Sequence, residues 1–170
     1  MEESDDIKKY FNSEKYFTKI LGNDTDENQL DVGESKISNL ISLLTDPINK
    51  SFKELTLLTL KKEKSEGILL LSIASPKAKN VRHMLIAACW ESEINFTRYF
   101  PFFILLAIDT DYMVSLEAIT VISSMEGPFN KVEVQEAIKK VKIARDNSTS
   151  ERIVLLNDLL DTLSQLETEK

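Results

Sequence analysis

Apolar residues return every three or four positions along almost the whole of this chain. Nowhere do they alternate with period two for long enough to make a strand. Between residues 5 and 21 the spacing sets Ile7, Tyr10, Phe11, Phe17, Ile20 and Leu21 on one side of an amphipathic helix, with Gly22 placed to end it. The next stretch, NDTDENQLDVGES, is polar and acidic and reads as a loop. Helical spacing resumes at Lys36 and is broken at regular intervals by DPIN (46–49), SPKAKN (75–80), DTD (109–111), EGPFN (126–130) and DNSTS (146–150). Pro47 and Pro76 are expected in the first turn of the helix after their break, where a missing N–H does no harm. Between the breaks lie helices of roughly 10–17 residues, near the ordinary length, so the pattern predicts an all-α fold of about nine helices on short loops.

Two runs are greasier than an amphipathic helix requires, ILLLSIA (68–74) and FFILLAI (102–108). A bilayer span needs about 20 consecutive apolar residues, which neither approaches. Both are expected to be helices buried over most of their circumference, and the protein is expected to make no membrane contact.

The second run belongs to a unit that recurs. Val114 follows a break, and its helix stays apolar at Ala118, Val121 and Met125; thirty-three residues earlier Val81 does the same with Met84, Leu85 and Ala88. A greasy helix precedes each. Helix, short loop and helix at a fixed interval is the pattern of stacked α-hairpins, in which each pair hides the apolar face of its neighbour. The stretch YFPFFILLAIDTDYMVSLEAITVISSM resembles a HEAT repeat, through Pro101, Asp109, Val114 and Ala118. The unit before it keeps Val81-Arg82 but has Ile68 and Pro76 where the family pattern has proline and aspartate; the unit before that keeps Asp46, with Phe52 loosely in register. The resemblance implies a short right-handed α-α superhelix (a solenoid) of stacked antiparallel helix pairs, with units near 36–62, 66–91, 98–126 and 131–168. The last unit is a degenerate closing hairpin. Residues 1–35 match nothing in the pattern and are read as a separate helix plus acidic loop that caps or covers the repeat domain, 36–170. The resemblance also implies an inter-repeat contact from Asp109 to Arg82, while Asp111 is expected to cap the following helix.

Charge and composition narrow the function. The net charge is −7, and residues 1–35 hold ten Asp/Glu against four Lys, which leaves the rest of the chain nearly neutral. That balance provides no cationic track for nucleic acid; a basic protein partner is compatible with it. The acidic opening MEESDDIKK has no leader-like pattern, and the lone Cys89 has no internal disulfide partner, so a reducing cytoplasm is the expected compartment. Phosphate-binding glycine loops, nucleophile motifs and metal-ligand spacings are absent from the sequence, and no cofactor is expected. Asp24, Asp26 and Asn28 open like a calcium loop, but Gln29 and Ser35 stand where the sharp turn and the strongest ligand belong. His83 has no partner on its own helical face, and Cys89 is expected to be a small buried hydrophobe.

In such a stack the second helices of successive pairs line one surface. At about 100° per residue, His83, Ile86 and Trp90 fall opposite the core side of their helix, and Leu116 and Ile119 do so on theirs, with Thr120 beside them. The expected function is non-enzymatic: a protein partner bound in a groove lined by Arg82, His83, Ile86, Trp90, Leu116, Ile119 and Thr120, with Trp90 as anchor. Two other readings compete. One is a HEAT-like enzyme acting on a nucleic-acid base or a tetrapyrrole pigment, with a desolvated carboxylate beside Trp90 or Tyr99. The other is a homo-oligomer assembled through Leu156, Leu159, Leu163 and Leu166 on the last helix, a seam more simply explained by docking on the 131–145 helix.

Overall fold

The computed structural model describes residues 34–48, 50–63, 66–109 and 111–168. The helix read at 5–21 and the acidic loop after it lie outside them. All regular structure among the described residues is helical: α1 (Glu34–Thr45), α2 (Lys50–Glu63), α3 (Glu66–Ala74), α4 (Arg82–Glu91), α5 (Phe100–Asp109), α6 (Tyr112–Ser124), α7 (Lys131–Asp146) and α8 (Ser150–Thr168), with 3-10 turns at Pro76–Ala78 and Thr97–Tyr99. The all-α expectation holds, and the breaks fall where the polar punctuation puts them. These residues form two compact units, 34–94 and 95–168, and the division lies between the expected repeats at 66–91 and 98–126.

Both prolines sit outside the α-helices they were expected to start. The Asp46 carboxylate accepts the Ile48 N–H at 2.8 Å, so Pro47 is held in a side-chain-closed turn and α2 begins only at Lys50. Pro76 opens a 3-10 turn, where the Ser75 hydroxyl accepts from the Lys77 N–H, and α4 starts six residues later at Arg82. Short polar side chains compete for the same N–H groups that a helix start leaves open. The Asp111 cap is as expected: its carboxylate accepts the Val114 N–H at 2.9 Å.

In the first unit α1 pairs with α2 and α3 with α4, and α1 also packs on α3 and α4. Leu40 and Leu44 of α1, Leu69, Leu70 and Ile73 of α3, and Leu85 and Ile86 of α4 are buried. Apolar over most of its circumference, α3 has its middle and end inside, and the hydroxyl of its buried Ser72 donates to the Ile68 carbonyl at 2.8 Å.

The second unit consists of two hairpins, α5 with α6 and α7 with α8; α5 packs on α7 and α6 on α8. Residues 102–108 of α5 are buried without exception, as a helix without a polar face must be. Phe103 meets Phe96 and Phe102 edge-to-face, with centroids 5.7 and 5.4 Å apart. On α8, Leu156, Leu159 and Leu163 are fully buried, so the leucine seam is spent within this unit, as docking on α7 requires. The loop before α5 is tied to the end of α6: the Asn95 amide and the Thr97 hydroxyl both donate to the Glu126 carbonyl, at 3.1 and 2.8 Å.

Two hairpins close by the same device. The Arg82 Nε donates to the Ile73 carbonyl at 2.9 Å, and 33 residues on the Ser115 hydroxyl donates to the Ala107 carbonyl at 2.5 Å. In each case the residue after the valine satisfies a carbonyl that the preceding helix leaves open at its C-terminus. Arg152 of α8 adds a second donor at the end of α5, from Nη2 to the Ile108 carbonyl at 2.6 Å. The Asp109 side chain lies outside the described residues, and with it the expected Asp109–Arg82 contact.

Candidate functional site

The seven residues expected to line a groove divide by burial. Arg82, Ile86 and Ile119 are buried, which corrects their placement on an open surface: Arg82 closes its own hairpin, and the two isoleucines belong to the core. Spacing puts Ile86 and Ile119 on the outer side of their helices, but neighbouring elements wrap far enough around both helices to bury them. His83 and Ala87 are half-buried and Trp90 is 39% exposed; these three form the accessible stripe of α4. On α6 the accessible stripe is Tyr112, Met113, Leu116 and Thr120, and the Thr120 hydroxyl is returned to the Leu116 carbonyl of its own helix. The stripes of α4 and α6 belong to different units.

The largest exposed apolar face is on α2 and was not anticipated. Leu60 is the only residue of that helix that is fully buried. Ile48 just before it, then Phe52, Leu55 and Leu58, are 85, 53, 60 and 65% exposed. Isolated exposed leucines are ordinary, whereas several on successive turns of one helix mark a surface for another chain. The signal was present in KSFKELTLLTLKK, whose apolar positions cover more of the circumference than one core contact needs.

The other side of α2 is strapped to the end of α4. Lys53 pairs with Glu91 at 2.7 Å and Lys61 pairs with Glu93, so these two carboxylates are ion-pair partners of a neighbouring helix. The Lys61 hydrogen bond, then its charge, holds the Glu93 carboxyl below its usual range. Its stabilising contribution is therefore present at neutral pH and fades as the pH falls through that lowered value; full exposure makes it sensitive to salt. Glu93 also carries a backbone φ of 54°, one residue past the Ser92 cap of α4, where helices commonly end on glycine. Glu93→Gly is expected to melt about 2–4 °C above Glu93→Ala. Both variants remove the ion pair, so calorimetry of the two isolates the backbone effect, and equal melting temperatures would contradict it.

Cys89 is buried, its thiol 3.6 Å from the Leu85 carbonyl, and burial raises its pKa well above the ordinary range. It is held as a neutral thiol, unsuited to nucleophilic work. No group of three or more His, Cys, Asp or Glu residues among the described residues is placed to hold a metal ion, and none of the described helices is long and apolar enough to cross a membrane. Comparison with protein-family models, curated proteins and solved structures finds no match for this chain.

Proposed function

We propose that this protein is a non-enzymatic interaction module, a short superhelix of HEAT-like hairpins that binds a protein partner through apolar helix faces. The observation that carries the reading is the face of α2, where Ile48, Phe52, Leu55 and Leu58 are all more than half exposed. Like-on-like packing of α5 on α7 and α6 on α8, together with the hairpin clasp repeated at Arg82 and Ser115, supports the superhelix. A preformed helical face can take a second amphipathic helix at little ordering cost to the module. Lys53 and Lys61 are paired with Glu91 and Glu93 on the other side of α2, so the face itself is apolar, and the chemistry that fits it is the apolar side of another helix. Trp90, beside Glu91 at the end of α4, supplies a second contact of the kind that dominates binding energy.

The test uses full-length protein with a photo-crosslinker at residue 55 to trap the partner, followed by titration of that partner against variants. Leu55→Asp is expected to weaken binding at least about tenfold and Trp90→Ala by several-fold. Unchanged affinity in both variants would remove the proposed surface.

A further inference from the structure

We infer that the apolar face of α2 pairs with the same face of a second copy of this chain, the two helices antiparallel about a two-fold axis at Leu55. The inference rests on the reading of α2 as a binding face and names its partner. At about 100° per residue, Ser51, Phe52, Leu58, Thr59 and Lys62 lie within about 60° of Leu55 around the helix. Lys50, Lys53 and Lys61 lie more than about 100° round from it. The face is therefore nearly free of charge, and nothing in it calls for a partner of opposite sign. The Thr59 hydroxyl beside Leu55 already donates to the Leu55 carbonyl at 2.9 Å, so covering it strands no donor.

The face complements itself. Antiparallel pairing about Leu55 sets Leu55 on Leu55, Phe52 of each copy on Leu58 of the other, and Ile48 on the aliphatic stem of Lys62. The two Lys62 ammonium groups then stand about 21 Å apart. Parallel pairing would set them side by side, like charge on like, which selects the antiparallel arrangement. Glu54 stays exposed at the rim, about 100° round from Leu55, with Lys50 one turn before it. Area agrees as well. Ile48, Phe52, Leu55 and Leu58 are all more than half exposed, which at about 200 Å² for each fully open residue leaves about 500 Å² on each copy. A standard interface covers about 800 Å² per partner, about 65% of it apolar between identical chains, so the face supplies what a dimer of ordinary size needs. A patch paired with its own copy closes on itself, and association stops at two.

Sedimentation of the full-length protein, with a photo-crosslinker at residue 55 in a parallel sample, tests this. The wild type is expected to sediment as a dimer at micromolar concentration, and the crosslink to join two α2 peptides in a product of twice the chain mass. Leu55→Asp is expected to weaken the dimer at least about a hundredfold, because the change falls on both sides of the axis. Val154→Asp, at a position on α8 about as exposed as Leu55, is expected to leave the dimer intact. Leu55→Asp mixed with Leu55→Lys is expected to recover the dimer that each variant alone lacks, since the proposed axis brings position 55 of one copy onto position 55 of the other. A wild type that stays monomeric up to about 100 μM overturns the inference. So does a dimer untouched by Leu55→Asp, or a crosslink within a single chain, which assigns the face to the chain's own residues. Should the wild type stay monomeric while residue 55 traps a different protein, only the self-pairing falls and α2 remains a binding face. Should the dimer be lost in Leu55→Asp while a different partner binds that variant unchanged, the self-pairing stands and the foreign partner's site lies elsewhere.

Discussion

Phe103→Ala is expected to lower stability by about 3–5 kcal/mol, the range for truncating a wholly enclosed aromatic side chain. Phe103 is fully buried in α5 and is edge-to-face with two other rings, Phe96 from the preceding loop and Phe102 beside it. The ring is also where the loop before α5 is held against the helix, so its loss removes packing from both sides. Set against a total stability of about 5–15 kcal/mol, the change removes at least about a fifth of it. Urea unfolding followed by circular dichroism is expected to show a lower midpoint with an unchanged slope. Phe103→Leu keeps most of the volume and is expected to lose about 1.5 kcal/mol or less. A loss below about 1 kcal/mol in the alanine variant would mean that the second unit does not depend on this cluster.

How much of this was legible in advance differs from element to element. The helical character of α1 to α8 was, because polar punctuation and a 3.6-residue apolar period agree along this part of the chain. The burial of 102–108 was too, since a run with no polar side leaves a helix no face to turn to water. The helix starts near Pro47 and Pro76 were not: Asp46 and Ser75 close local turns, and nothing in periodicity tells a turn that opens a helix from one that delays it. The surface was read least well. A helical wheel assigns Ile86 and Ile119 to an outer side because it knows only the helix's own axis, not how far neighbouring elements wrap around it. It passes over Phe52, Leu55 and Leu58 for the converse reason: apolar residues around most of a helix look like core, and only the coordinates show which of them have no cover. The left-handed backbone at Glu93 has no residue-level signal at all, glycine being its usual mark.

Arg82→Ala carries the second large effect, an expected loss of about 2–3 kcal/mol. Arg82 is buried with its Nε donating to the Ile73 carbonyl. Truncation would leave a buried carbonyl without this donor and would remove the packing of the aliphatic stem. Ser115→Ala is the equivalent change in the next hairpin, and an expected loss of about 1–2 kcal/mol follows from a neutral hydroxyl donor. The two residues differ because the hairpins do. Between α3 and α4 the connection runs from Ser75 to Val81, whereas between α5 and α6 only residues 110 and 111 intervene. A longer connection sets the second helix farther from the carbonyl it must reach, and only a long side chain with a donor near its end spans that distance. Arg82→Lys is therefore expected to recover less than half of the loss, since a single ammonium on a flexible stem does not reproduce a fixed guanidinium donor. Hydrogen exchange provides the local readout: Arg82→Ala should speed exchange at the end of α3 more than in α7 and α8. If Arg82→Ala stays within about 0.5 kcal/mol of the wild type, the clasp contributes nothing to the hairpin, and the equivalence drawn between Arg82 and Ser115 loses its energetic basis.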